Sequence, residues 1–453
     1  MSETGNLDTL EKIILYSLVT TSIITAVIYI SFSSAYFFGD DFELIAQAIN
    51  GTSLFNPISS HLRPVVRAHF ILLKFTNFSP LFSHFFSFIL HIIASASFFL
   101  FLRSIYGEKI AYFSSILFFS IYRADEAVFW ISASGILYCF IFSFLSIYFY
   151  NRKKFLLSAI LLIMAIFSYE LWIIVPLGYI LLKKEKFLKY LSLFLTIPYA
   201  TALFLTKSNV LQSYGGFSLK HLPVKTGIYL WRTLSPFGSL PANWVFILLS
   251  LTLVIYFTLL IFKKKENFFF PILLYLVPTA IFSFSSIIPS RFYYFPVAAI
   301  VIFLFIGLRT TAKEPKIIIF LVIVYLIFIS PLILYLDSID YKNFSNMHKK
   351  IISEAETALS VVNTGDVVEF TIGKFPDYPK KFIKSLRGTL KPVFVRQRAV
   401  AHLIYPQDIV TLVLFKKGLS AKFLPCGNNL QRKKIHIGNF LLVNRTCFKV
   451  IPR

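Results

Sequence analysis

Six carboxylates fall in three clusters beside the ends of apolar runs: Asp40-Asp41 with Glu43, Asp125-Glu126, and Glu170. An adjacent carboxylate pair near Arg63 and His61 suits general-base chemistry. Like charge raises the pKa of one partner, and the arginine holds the other ionised. Basic residues expected on the same face are Arg63, Arg67, Lys74, Arg123, Lys207, Lys220, Lys225, Arg232 and Arg291. Arginine holds phosphate through a bidentate fork. Arg291 is the most pointed case, because it opens an apolar run in Pro289-Ser290-Arg291-Phe292-Tyr293-Tyr294-Phe295-Pro296. A snorkelling anchor in an aromatic belt is its plain alternative. Asp40, Asp125 and Glu126 could hold a divalent cation, Mg or Mn, through oxygen ligands. They could equally be held by basic residues, and any single loop acid could simply be solvated. Ionisable groups at membrane depth are costly, so three clusters on one face read as functional.

The elements that must position these residues are apolar. Hydrophobic residues make up 57% of the 453 and charged residues only 15%, against about 25% in a soluble domain. Runs near 13–33, 81–102, 110–122, 133–150, 155–168, 171–182, 187–206, 243–262, 268–288, 293–308 and 317–336 predict about eleven transmembrane helices. Basic clusters at Arg103/Lys109, Arg152 to Lys154, Lys183 to Lys186, Lys263 to Lys265 and Arg309/Lys313/Lys316 orient them, with the N-terminus cytoplasmic. The runs 155–168 and 171–182 are short. Either they form two spans meeting at Tyr169-Glu170 on the outer side, or they form one long tilted helix. The first choice puts the acidic clusters and the tail outside.

The expected architecture is therefore an all-α polytopic membrane domain over 1–336 and a small extracytoplasmic α/β domain over 337–453. The first outer loop, 34–80, should hold two short surface helices, the second opened by Arg63-Pro64 and reaching about Lys74. The outer loop 207–241 could be a lid or a passive linker. In the tail, Asn343 to Val361 reads as an amphipathic helix, and Val367 to Ile372 and Ile409 to Leu414 read as strands. The tail carries 20 basic residues against 8 acids, half of the net charge of +24. That balance suggests contact with anionic material, such as lipid headgroups or an acidic glycan. Nucleic acid is not expected as a partner outside the membrane. Three cysteines exclude a cysteine-based metal centre, and Cys426 and Cys447 are placed to pair or to stay free. No glycine-rich phosphate loop stands out.

The acidic and basic stretches, taken in order, resemble the GT-C membrane glycosyltransferases, in particular their bacterial branch and the O-mannosyltransferase group. Gly39-Asp40-Asp41 after the first span, with His61-Leu62-Arg63-Pro64, is similar to that family's first outer loop. Asp125-Glu126-Ala127-Val128-Phe129-Trp130-Ile131-Ser132 is similar to its "EAV-W-IS" stretch. Phe167-Ser168-Tyr169-Glu170 with Pro176 is similar to its "S-K-E … P" turn, with Tyr169 where lysine is common. Arg291 to Pro296 is similar to its "R-Y-x-Y-x-P" span start. Together they cover about residues 10–310.

The resemblance implies an enzyme of a bacterial or archaeal plasma membrane. It would take a polyprenyl-phosphate sugar from the bilayer and transfer the sugar with inversion to a glycan, lipid or protein acceptor outside. Asp40 would be the general base, with Asp41 the alternate. Asp125, Glu126 and Glu170 would bind acceptor or metal, and Arg291, Arg63, Arg232 and Lys225 the donor phosphate. The competing readings are a transporter or flippase of lipid-linked saccharides and an envelope polysaccharide ligase or polymerase. A transporter predicts internal repeats and mid-membrane charges, and neither is visible.

Overall fold

The computed structural model describes residues 9–56, 63–182, 268–282, 290–310, 313–373, 406–426, 432–437 and 442–452, with isolated positions between 224 and 252. The chain is mostly helical. Among the described residues five stretches are long and apolar enough to cross a membrane: Lys12–Phe32, Pro80–Tyr106, Ile131–Asn151, Arg291–Leu308 and Ile319–Val361. Their outward faces carry large apolar side chains, such as Ile23, Val27, Leu321 and Phe328, as lipid contact requires.

The remaining apolar runs are shorter helices or lie elsewhere. Helix α1 (Thr9–Phe32) is followed by α2 (Asp41–Ile49), α3 (Pro64–Lys74), α4 (Pro80–Tyr106) and α5 (Glu108–Ser120). At about 1.5 Å per residue α5 is roughly 20 Å long, short of the roughly 30 Å core. The runs 187–206 and 243–262, the loop 207–241, and residues Lys225, Arg232 and His61 fall outside the described residues, but for isolated positions in the second run and the loop.

After α6 (Asp125–Phe129) and α7 (Ser134–Asn151), the stretch 155–182 is two helices, α8 (Phe155–Ile166) and α9 (Ile174–Leu182), with a break and a tight turn at Glu170–Ile173. The single tilted helix is thereby excluded. Ser146 and Ser158 share hydrogen bonds with the Tyr179 hydroxyl, which ties α7, α8 and α9 together inside the bundle. Gly135 sets how close α7 comes to the break. A Cβ there would lie 2.9 Å from the Ser168 carbonyl oxygen.

Helices α10 (Phe269–Phe282) and α11 (Tyr294–Thr310) precede α12 (Lys313–Ala358). Helix α12 runs unbroken through the expected boundary at 336/337. The last apolar run and the amphipathic tail helix are one rod of 46 residues, on the order of 70 Å long.

The tail then forms β1 (Val367–Gly373), α13 (Pro406–Lys416), β2 (Leu419–Leu424), β3 (Lys433–Ile437) and β4 (Leu442–Pro452). The sheet order is β2-β4-β1-β3, with β1 parallel to β3 and antiparallel to β4. The stretch Ile409 to Leu414, expected as a strand, is helical. Pro406 opens it, Asp408 sits in its first turn and Lys416 in its last, the polarity that a helix macrodipole favours. Its apolar run is buried on the sheet, so periodicity alone could not separate helix from strand.

One hydrophobic core joins tail and loop. Phe42 and Ile45 of α2 and Phe70 of α3 pack in one cluster with Ile352 of α12, Val368 and Phe370 of β1, Val413 of α13 and Phe448 of β4. The first loop and the tail therefore lie on the same side of the helical bundle. Ile45 is fully buried in this joint. Ile45→Ala should cost about 2–5 kcal/mol and lower the single unfolding midpoint of the detergent-purified protein. An unchanged midpoint would show that tail and loop are not one cooperative unit.

Candidate functional site

Gly39 and Asp40 form the turn between α1 and α2. Gly39 has φ +60°, and a Cβ there would meet the Trp130 ring at 2.9 Å. Only glycine meets both demands. The turn therefore sits against the 125–133 stretch, and Asp41 fastens it there. Asp41 is fully buried, and its Oδ1 accepts the Ser132 N–H at 2.8 Å while Oδ2 accepts the Phe38 N–H at 3.3 Å. Burial pushes the Asp41 carboxyl up to about 8, the two N–H groups pull it down, and Asp40 adds a smaller upward push. Burial rather than the like-charge neighbour dominates the pair. Asp40 is half-buried and makes no capping hydrogen bond to its own helix.

The second acidic stretch meets the arginine of the last motif. Glu126, 1% exposed, accepts Arg291 Nη1 at 2.7 Å on Oε1 and the Arg291 N–H at 3.3 Å on Oε2. The guanidinium lies 5.1 Å from the Trp130 ring centroid, hydrogen-bonds Tyr169 and feels the charge of Asp40.

The third acid meets the first loop. Arg63 Nη2 donates to both oxygens of Glu170, at 2.9 and 2.8 Å, and its guanidinium stacks 4.1 Å above the Tyr169 ring. Tyr169 thus stands between Arg63 and Arg291, which are close enough to repel one another. The arginine side chains keep 17% and 12% exposure while their glutamates keep 7% and 1%. The cations line the reachable surface and the acids back them.

Asp40, Asp41, Arg63, Glu126, Glu170 and Arg291, separated by up to 251 positions, therefore converge on one site. Asp125 is buried behind it. It faces Tyr29 and Tyr341, near Asp337 of α12. Arg123 is buried against the Tyr122 and Tyr293 rings. Asp337 is the residue that sequence reasoning missed. The available signal was an acid directly after the apolar run 317–336, where a charge is costly. Ser345 of α12 reaches the first outer loop, accepting the Tyr36 N–H on its Oγ.

Among the described residues no group of three or more His, Cys, Asp and Glu side chains is arranged to hold a metal ion. Of the carboxylates suggested for a cation, Glu126 is turned to Arg291. Cys426 and Cys447 form a disulfide in the tail, and Cys139 is a buried free thiol. No family model, no curated protein and no solved structure matches the chain.

The raised Asp41 has a defined pH signature. Its folded value lies above the ordinary 3.8, so the folded state holds the proton more tightly than the unfolded state between about 4 and 8. That stabilisation is fully present below the ordinary value and is lost as pH rises through about 8. Thermal midpoints should therefore fall across this window, and Asp41→Asn should flatten the decline. Asp408, pushed up to about 7 by burial with Glu43 nearby, should contribute a slope of the same sign. A midpoint rising from pH 4 to 8 in the wild type, or an unchanged slope in Asp41→Asn, would contradict the assignment.

Proposed function

We propose that the protein is an integral membrane glycosyltransferase. It transfers a sugar from a polyprenyl-phosphate-linked donor to an extracytoplasmic acceptor, with inversion. The observation that carries this reading is the convergence of a half-buried carboxylate, Asp40, with two acid-backed arginines, Arg63 and Arg291, on one site. Displacing a lipid phosphate from an anomeric carbon needs a base on one side and cations on the leaving group.

Asp40 takes the proton of the acceptor hydroxyl. The acceptor oxygen forms its bond to the anomeric carbon as the bond to the phosphate oxygen breaks, and the leaving lipid phosphate collects its charge against Arg291 and Arg63. Glu126 and Glu170 hold the arginines in place before substrate arrives. Such preorganisation lowers the reorganisation required during the reaction. Asp41 orients the turn and leaves the proton transfer to Asp40. Lys225 and Arg232 of the outer loop are proposed as further phosphate contacts, and Asp125, Glu126 and Glu170, expected on the acceptor side, act on it from behind the arginines and the turn. A bound Mg or Mn ion is the rival source of positive charge; it predicts activity abolished by EDTA and restored by the ion.

The side assignment rests on three supports: the positive-inside pattern, the shared core of tail and first loop, and a tail disulfide, which suits an oxidising compartment. All agree with a cytoplasmic N-terminus and an extracytoplasmic tail.

The test compares envelope glycans by mass spectrometry in a deletion strain complemented with wild type, Asp40→Asn, Asp41→Asn or Arg291→Gln. Loss of one sugar on deletion and its return only with a working site is the expected result, and the mass lost names the sugar. Asp40→Asn should cut the transfer rate by about 10²–10⁴ with the protein still folded. Arg291→Gln should lose activity and stability together, because it leaves Glu126 buried without its partner. Full restoration by Asp40→Asn sinks the general-base role. Loss of the glycan with lipid-linked saccharide accumulating on the cytoplasmic side would favour a flippase.

A further inference from the structure

The C-terminal sheet has two unlike faces, and its register assigns each residue to one of them. Phe448 and Val368 form one row on the face that packs into the shared core, with Phe423 exposed at its β2 end, and Phe370 and Ile435 form another. On the opposite face one row runs Lys422, Lys449, Val367. The next runs Leu424, Cys447, Glu369, Lys434, and His436 stands beside Thr371 in the row after. Lys422, Lys434, Lys449 and His436 are exposed. Glu369 is the acid of these rows, and it sits 3.7 Å from Arg432.

Lys422 lies directly opposite Lys449 on neighbouring strands, an arrangement that weakens a sheet when nothing lies between the charges. Lysine on an edge strand is ordinary protection against strand addition, which accounts for Lys422 on β2 and Lys434 on β3. It does not account for Lys449, because β4 is an interior strand. The register sets Lys422 and Lys449 about 5 Å apart, and Lys434, two strands from Lys449 and one row on, with His436 beyond it, spreads the charge across the sheet. Cations spread along one face, not converging on one point, fit an extended chain of negative charges better than one small anion.

We propose that this face binds an extended soluble polyanion of the phosphate-bearing class. A bilayer surface is the lesser fit. The charged face is the one opposite the face that packs on α2 and α3, so it is turned away from the helical bundle. The binding is independent of the transfer reaction and is measured without it.

The test uses the full-length protein in phosphatidylcholine nanodiscs, with fluorescently labelled inorganic polyphosphate read by anisotropy across a salt series. Wild type should bind, with affinity falling steeply as salt rises. The triple variant K422Q/K434Q/K449Q should weaken binding at least about tenfold and flatten the salt dependence. K349Q/K350Q, which removes exposed charge from α12 of the same chain, should leave affinity within about twofold. Without ligand, K422Q should raise the unfolding midpoint by relieving the opposed pair, which also shows that the variant folds. Absence of polyphosphate binding overturns the proposal, and so does equal weakening in the triple and the α12 variants. A second arm floats the nanodiscs with phosphatidylglycerol vesicles. Capture by vesicles without polyphosphate binding makes the face a membrane contact and overturns the polymer.

Discussion

Glu126 is a carboxylate with almost no access to water, and Arg291 is what allows it to be there. A buried charge left without its partner costs several kcal/mol, so the pair must assemble as the bundle closes. That requirement fixes the start of α11 against α6. With α6 in place, Ser132 can donate to Asp41 and Trp130 can lie against Gly39. With Arg291 in place, Tyr169 has a hydrogen-bond partner on one side and the Arg63 guanidinium stacked on the other. The second ion pair, Arg63 with Glu170, closes the ring from the loop side. Each ionic contact joins segments far apart in the chain, so the site and the packing of the bundle end stand on the same contacts.

The tail takes part in that arrangement. Helix α12 brings Asp337 to the back of the site and Ser345 to the first loop, and then enters the sheet domain without a linker. Helix α2, which begins directly after Asp40, packs in one apolar core with α3, Ile131 and the tail. A polar loop on a membrane protein would ordinarily be its most mobile part. Here α2 and α3 form a packed layer, which suits the role proposed for Asp40.

The two carboxylates of the adjacent pair show how environment divides chemically identical groups. Asp41 has lost its water and spends both oxygens on backbone N–H groups, and Asp40 keeps part of its surface. The sequence could mark the pair as chemically interesting through its neighbours, but the two side chains are equivalent until the turn is folded. Likewise, Ile409 to Leu414 is apolar enough for either a strand or a helix, and only its burial against the sheet settles which.

Composition and spacing alone specify a chain of apolar helices, the helix opened by Pro64, the strand at Val367 and the short list of acids and arginines beside the helix ends. Those features are local or follow from hydrocarbon thickness, which is why they can be read along the chain. Which acid meets which arginine, that Asp41 is buried and Asp40 is not, that α12 is one rod, and that loop and tail share a core belong to the tertiary structure. They depend on contacts between residues up to several hundred positions apart, and the removal of water that makes each pairing necessary occurs only once those segments have come together.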